Sequence, residues 1–238
     1  MNKIKIIKPT LKDLEAVVNV EKAAWPDIGD GMVAEHSKFK TRIELGLMHL
    51  LYFNGKPAGI ISYQYPSFTN SEILNSIYDE HTQKKDFLSW DYLVHNFKLP
   101  KNWYEATNNG FVINDGISTN NYNSDCVFLI GVGVDTKLKG NGLVNYLISH
   151  TIKEAKQEGK KFVLGYGRLP QLSEQYENPT IIDAQNHLLK LKPNTDLPDD
   201  YGARFHVFNG ARAVSVIPNA MDDPESKNYG FLALYNLK

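Results

Sequence analysis

Residues 128–159 read FLIGVGVDTKLKGNGLVNYLISHTIKEAKQEG, and no other stretch constrains the chain as tightly. Cys126–Val134 is β-branched and apolar, which predicts a strand. Leu143–Glu158 places Val144, Leu147, Ile148, Thr151, Ile152 and Ala155 at helical spacing, and Gly159 ends the run. Strand, glycine loop and helix in direct succession commit the chain to a mixed α/β architecture. Gly131 and Gly133 interrupt the strand, as at a bulge or where another backbone comes close. Gly140 and Gly142 precede the helix, whose first N–H groups lack partners and whose dipole is positive there, so an anion fits. An extended ligand with a phosphate end would lie along the strand edge, its phosphates on the helix and Lys137 and Lys139 adding positive charge. The plainer alternative is that the glycines only make a tight connection, or relieve packing.

Two phosphate-binding patterns do not fit. The P-loop requires Gly-Lys-Ser/Thr at the helix start, and Gly142 is followed by Leu143. The dinucleotide fingerprint requires a third glycine where GVGVDT has Thr136. A net charge of −1 lacks the basic excess of a general nucleic-acid binder, so no nucleic-acid partner is expected. The single cysteine, Cys126, excludes an intramolecular disulfide framework and any multi-cysteine zinc site, and no metal is expected. No run of about 18 apolar residues suggests a membrane span. MNKIKIIKPT lacks the apolar core of a signal peptide, so a cytoplasmic protein without membrane partners is expected.

The remaining chain extends the pattern. Lys3–Pro9 reads as a strand. Thr10 caps a following helix, with Asp13 completing a variant capping box, and Pro26 stops it. A second helix is expected over Val33–Leu45. Two apolar runs flank Asn54-Gly55, a hairpin signal. Lys161–Gly167 is a strand, DDYGARFHVFNG a short helix, and ARAVSVIPN and YGFLALYNL closing strands. The order is β-α-α-β-β-β-α-β-α-β-β, with insertions at about 66–122 and 168–198, all within one domain over 1–238. The first insertion is rich in Asn, Ser, Tyr and Trp, with short helices expected around Ser71–Tyr78 and Phe87–Phe97. It lacks a sustained apolar face, but its aromatic content argues against disorder.

The segment Val134-Asp-Thr-Lys137-Leu-Lys-Gly140-Asn-Gly142 resembles the acyl-CoA loop of the GNAT superfamily of N-acetyltransferases, Arg/Gln-x-x-Gly-x-Gly/Ala after a strand ending in Val. Lys137 stands where the family usually has Arg or Gln. The resemblance covers nearly the whole chain in element order. It implies a mostly antiparallel mixed sheet, splayed between the fourth and fifth strands, with helices on both faces. It implies acetyl-CoA as co-substrate, the main chain of Val132, Gly133 and Val134 pairing with the pantetheine arm. Residues Leu138, Lys139, Gly140, Asn141, Gly142 and Leu143 would cradle the pyrophosphate.

The same resemblance suggests where chemistry sits. A family tyrosine that protonates the leaving thiolate corresponds in ARFHVFNGA to His206, whose ordinary pKa near 6.5 suits an acid at neutral pH. The alternative is a half-buried histidine packing beside the coenzyme. Asp125, at the start of the fourth strand, is the candidate base, or else a surface-turn aspartate. Cys126 reads as a small buried hydrophobe. Glu35 and His36 would line the acceptor groove, or sit on an exposed helix face. GYGRLP, RFHVFNGA and VIPNAMDDPESKNYG further resemble a branch of GNAT domains sometimes fused to nitrilase-like amidohydrolases, with a D-x-E-S motif at Asp223, Glu225 and Ser226. There Arg168 would clamp an acceptor carboxylate, or pair with an acidic residue such as Glu225. The first insertion would roof the acceptor side, or pack on the domain or on a second subunit.

The leading expectation is therefore transfer of an acetyl group from acetyl-CoA to a small-molecule amine, by direct attack in a ternary complex, in a monomer or homodimer. The alternatives are a non-catalytic acyl-CoA-binding module, favoured by His206 replacing the tyrosine, and a partner of an amidohydrolase.

Overall fold

A computed structural model describes residues 3–26 and 35–238. The expected start of the second helix at Val33 lies outside the described residues. In chain order the strands are β1 (Ile4–Ile7), β2 (Met48–Phe53), β3 (Lys56–Gln64), β4 (Ile113–Asn114), β5 (Ile117–Ser118), β6 (Cys126–Val134), β7 (Phe162–Arg168), β8 (Arg212–Ile217) and β9 (Gly230–Asn236). β4 and β5 form a separate two-stranded ribbon; the others make one sheet in the order β1-β2-β3-β6-β7-β9-β8. Every neighbouring pair in it is antiparallel except β6 and β7. This is the mixed, mostly antiparallel sheet expected from the sequence.

The pleat sends alternate side chains to opposite faces. Met48, Leu50 and Ile60 are buried with Leu14, Val17 and Phe39, under α1 (Leu14–Ala24) and α2 (His36–Glu44). Leu51 and Ile61 are buried on the other face with Leu147 and Ile148 of the helix after the glycine loop. Asn54 and Gly55 both have positive φ, 52° and 81°, the turn that the right-handed twist of a two-residue hairpin requires. Asp13 Oδ2 accepts from both the backbone N–H and the hydroxyl of Thr10, at 2.9 Å each, and fixes the entry to α1.

The decisive feature lies mid-sheet. β6 and β7 pair only over Cys126–Leu129 and Phe162–Gly165. Beyond Leu129, β6 stays with β3 as far as Val134. β7 stays with β9 as far as Arg168. The sheet therefore opens where the carboxyl ends of its two parallel strands separate. Ile130 is an extra residue in the β3–β6 ladder at this point; such bulges bend a strand and often border active sites.

The first insertion carries more helix than its sequence predicts. It holds α3 (Ser71–Lys84), α4 (Trp90–Phe97) and α5 (Trp103–Thr107). Asn70, Ser89 and Asn102 each accept a backbone N–H as N-caps. Lys85, Lys98 and Asn108 end the three helices in the left-handed conformation. Only Leu74 and Ile77 of α3 are buried, so its apolar stripe is too thin to show as a period. The second insertion contains α7 (Leu172–Gln175) and α8 (Ile181–Leu189), the latter opened by a Thr180–Asp183 capping box.

Candidate functional site: a cleft between diverging strands

The glycine loop and the helix α6 (Leu143–Gln157) stand at the open end of β6. Gly142 is left-handed, φ +67°, and has no side chain to cap the helix. Among the described residues the N–H groups of Gly140, Gly142, Leu143 and Val144 have no hydrogen-bond partner. A Cβ placed on Gly140 or Gly142 would meet nothing within 4 Å, so the loop has open space beside both glycines. The preceding turn is rigid: Asp135 Oδ1 accepts from Lys137 N at 2.9 Å, and the Thr136 hydroxyl donates to Ala23 O at 3.2 Å. Lys137 and Lys139 are exposed, Leu138 half-buried and Leu143 buried. Unpartnered donors at a positive helix end are what a pyrophosphate requires.

A cavity of about 220 Å³ occupies the splay. Val132, Gly133, His206 and Arg168 line it, so four residues picked out by the sequence converge there. The two strand glycines differ in purpose. A Cβ on Gly133 would fall 2.9 Å from Ala24 Cβ and 3.3 Å from Trp25 Nε1, so Gly133 lets α1 close onto β6. A Cβ on Gly131 would meet nothing within 4 Å.

His206 belongs to α9 (Tyr201–Phe208), which Asp200 caps by accepting from Ala203 N at 2.9 Å. Its ring packs against Phe205 and Phe231. Its Nδ1 lies 2.8 Å from the Tyr235 hydroxyl. Burial pushes its pKa down to about 3. Burial thus favours the neutral imidazole, a shift downward from the 6.5 that the sequence suggested for a proton donor. A neutral imidazole is suited to hydrogen-bond donation rather than to supplying a proton.

Arg168 makes a bidentate pair with Asp223, Nε to Oδ2 at 2.6 Å and Nη2 to Oδ1 at 2.7 Å, and Nη2 also reaches Glu225 Oε2 at 2.7 Å. The Ser226 hydroxyl donates to Asp223 and accepts from Leu169 N. Burial opposes the arginine's charge, but Asp223 and Glu225 outweigh it and hold its pKa above the usual value. Of the two readings of Arg168 from sequence, the structure shows the pairing with acidic residues. The D-x-E-S loop thus positions Arg168, whose guanidinium also stacks over Trp25 at 5.0 Å.

Asp125 lies outside the cavity lining. Its carboxylate accepts from both the backbone N–H and the hydroxyl of Ser71, tying α3 to the start of β6. The neighbouring Cys126 is buried, and burial raises its thiol pKa, leaving it inert. Glu35 is the exposed N-cap residue of α2, its Oε2 accepting from the Ser37 hydroxyl at 3.3 Å, and His36 Nε2 lies 3.1 Å from Glu15 Oε1. Neither lines the cavity.

The rest of the cavity wall combines charged residues that sequence reasoning passed over with aromatics of the first insertion, which were expected to roof a pocket. Arg42 is buried, its Nε and Nη2 donating to Gly110 O at 2.9 and 2.6 Å. Burial lowers its pKa to about 10, Glu21 opposing, so it remains a cation. Burial likewise lowers the pKa of Lys38, with Glu35 opposing. Glu21, Trp25, Trp103 and Tyr104 complete this wall. Trp103 Nε1 donates to Ile130 O at 2.8 Å, so the insertion closes directly onto the bulge. Arg42 left one signal: with Phe39 and Ile43 it occupies the helical spacing reserved for buried residues. Trp103 and Tyr104 were signalled by the aromatic content of the insertion, and both line the cavity.

No protein-family model matches the chain, and no curated protein matches it in sequence. Solved structures do. The loading GNATL domain of CurA from Lyngbya majuscula superimposes with a TM-score of 0.68 at 17% identity, covering 99% of this chain and 98% of that one. The GphF GNAT-like decarboxylase, in complex with isobutyryl-CoA, gives 0.67 at 16% identity, covering 99% and 100%. The ribosomal-protein-S18-alanine N-acetyltransferase of Escherichia coli gives 0.51 at 13%, covering 100% and 95%. With its splayed sheet, its uncapped helix start and full-length likeness to these structures, the chain has the GNAT fold.

Proposed function

We propose that the chain is an acyl-CoA-dependent acyltransferase that moves an acyl group, acetyl in the simplest case, to the amine of a small acceptor. The observation that carries this is the continuity of the site. A strand edge left unpaired beyond Leu129 runs from the unpartnered donors of Gly140, Gly142, Leu143 and Val144 to a cavity lined by His206. A coenzyme A thioester has that form: phosphates at one end, an extended amide-bearing arm, and a reactive carbonyl at the other. In a ternary complex the amine attacks the carbonyl, the C–N bond forms, the C–S bond breaks, and the thiolate takes a proton from water. His206 donates a hydrogen bond from its neutral ring to the oxygen or sulfur that gains charge. Among the described residues Glu21 is the carboxylate lining the cavity, and it takes the amine proton directly or through water. Asp125, bound to Ser71, has no part in this reading. The insertion narrows the acceptor side with Trp103 and Tyr104, which favours a small amine over a protein tail.

A second reading has specific support. Arg42 and Lys38 put two cations on the acceptor wall, and His206 is too weak a base to deprotonate an amine. Decarboxylation of a carboxyacyl-CoA needs neither acid nor base of ordinary pKa. The C–C bond to the carboxylate breaks, CO2 leaves, and the electron pair enters a thioester enolate that a neutral imidazole N–H stabilises before carbon is protonated. GphF, which the chain resembles in fold, is described as a decarboxylase.

Calorimetric titration with acetyl-CoA, run beside Gly142→Glu, tests the shared premise. Micromolar binding lost in the variant is the expected result, and no binding by the unaltered protein overturns both readings. Thiol release with a panel of small amines then supports transfer. Conversion of malonyl-CoA to acetyl-CoA without free thiol supports decarboxylation. Binding with neither activity leaves a non-catalytic acyl-CoA module.

A further inference from the structure

Away from the cleft, on the opposite half of α6, three side chains form a cluster to which the acyl-transfer reading gives no task. His150 and Glu154 are one turn apart on the helix, and His49 comes from β2 beneath them. Their nearest ligand-type atoms all lie within 4.8 Å of one another. The His49 and His150 rings meet edge to face, centroids 4.8 Å apart. His49 is 1% exposed. Its Nε2 approaches Glu154 Oε2 to 2.9 Å, yet off the line of a directed hydrogen bond, so this buried nitrogen has a carboxylate contact without a proper bond.

We propose that His49, His150 and Glu154 form a binding site for a divalent transition-metal ion, of which zinc best matches the donors. Two imidazoles and a carboxylate with a fourth position left to solvent is an established zinc coordination set. The i, i+4 spacing places two ligands on one helix face. The surroundings are those of a ligand set. Thr151 Oγ1 lies 3.4 Å from His49 Nδ1 and orients that ring, and the Tyr63 hydroxyl lies 3.5 Å from Glu154 Oε2 and 3.3 Å from Gly46 O. Metal–ligand bonds of about 2.0–2.2 Å draw the three donors closer together, which a rotation of the half-buried His150 supplies. Lys8 now answers the charge of Glu154, its Nζ 3.0 Å from Oε1. Lys8 is 47% exposed and can swing into water when a metal cation takes that role. Bound metal would tie β2 to α6, the helix whose first turn carries the unpartnered donors.

The test uses untagged full-length protein stripped with a chelator. Zn2+ is titrated in competition with a chromophoric chelator, and Co2+ is added separately to read its visible absorption. The expected result is one tightly bound Zn2+, an intense tetrahedral Co2+ spectrum, and a rise in melting temperature with Zn2+. His150→Ala and Glu154→Gln should abolish all three, and Thr151→Val should weaken binding by about tenfold. Lys8→Ala, at an exposed position, should strengthen it. The proposal is overturned if folded wild-type protein binds no Zn2+, or if binding survives the His150→Ala/Glu154→Gln double variant.

Discussion

The hydroxyl of Tyr235 lies 2.8 Å from His206 Nδ1, and the pair joins the last strand to the helix that faces the cleft. Tyr235 is buried, and its proton needs an acceptor. Among the described residues Nδ1 is its partner, so Tyr235 donates and His206 carries its own proton on Nε2. This bond selects the tautomer that the proposed mechanism uses. Tyr235→Phe should cost about 1–3 kcal/mol of stability, measured by urea unfolding. It should lower kcat about tenfold or more while leaving the calorimetric affinity for coenzyme A unchanged. An unaltered kcat would remove His206 from the chemistry.

The low pKa of His206 has a definite sign in stability. Between its ordinary value of 6.5 and its folded value of about 3, the unfolded chain binds a proton at this residue and the folded chain does not. Stability is therefore full above 6.5 and falls as pH drops through that window, by about 1.4 kcal/mol per pH unit from this residue. Denaturation midpoints from pH 7 to about 4 should show this slope, and His206→Gln should remove it. The rate should show no inflection near 6.5 from this ring.

The two acidic partners of Arg168 should be unequal. Asp223 is 1% exposed and bidentate, whereas Glu225 is 51% exposed. Asp223→Asn leaves a largely buried guanidinium short of its main counter-charge and should cost about 3–5 kcal/mol. Glu225→Gln loses a rim contact and should cost less than about 1 kcal/mol. Equal costs in urea unfolding would contradict this division.

Two alanine substitutions separate packing from binding on β6. Gly133→Ala forces a methyl against Ala24 and Trp25 and should cost about 1–3 kcal/mol. Gly131→Ala meets open space and should leave stability within about 0.5 kcal/mol. Its methyl would border the cavity, and its effect should appear in KM. A Gly131→Ala protein as unstable as Gly133→Ala would show that both glycines serve packing.

Much of the frame was legible because it is local. The strand, glycine loop and helix over 126–157 follow from period and punctuation, as do the hairpin at Asn54-Gly55 and the capping pair Thr10 and Asp13. α3 was underestimated because its N-cap and two buried residues form too thin a signal. Asp125 looked like a base because its strand position matched a family pattern. Its commitment to Ser71, 54 residues earlier, is invisible without coordinates.

By itself the sequence determined which segments become strand or helix, where backbone must be bare, and that a helix start without a side-chain cap follows a central strand. Those outcomes depend on interactions within a turn or a strand. The tertiary structure alone decided what the cleft contains. It buried His206 and moved its pKa well below 6.5. It joined Arg168 to a loop 55 residues away, and Arg42 to the carbonyl of Gly110 across 68 residues. It also opened β6 from β7 beyond Leu129. Desolvation, pairing and splay arise only when distant elements pack, so no stretch of sequence carries them.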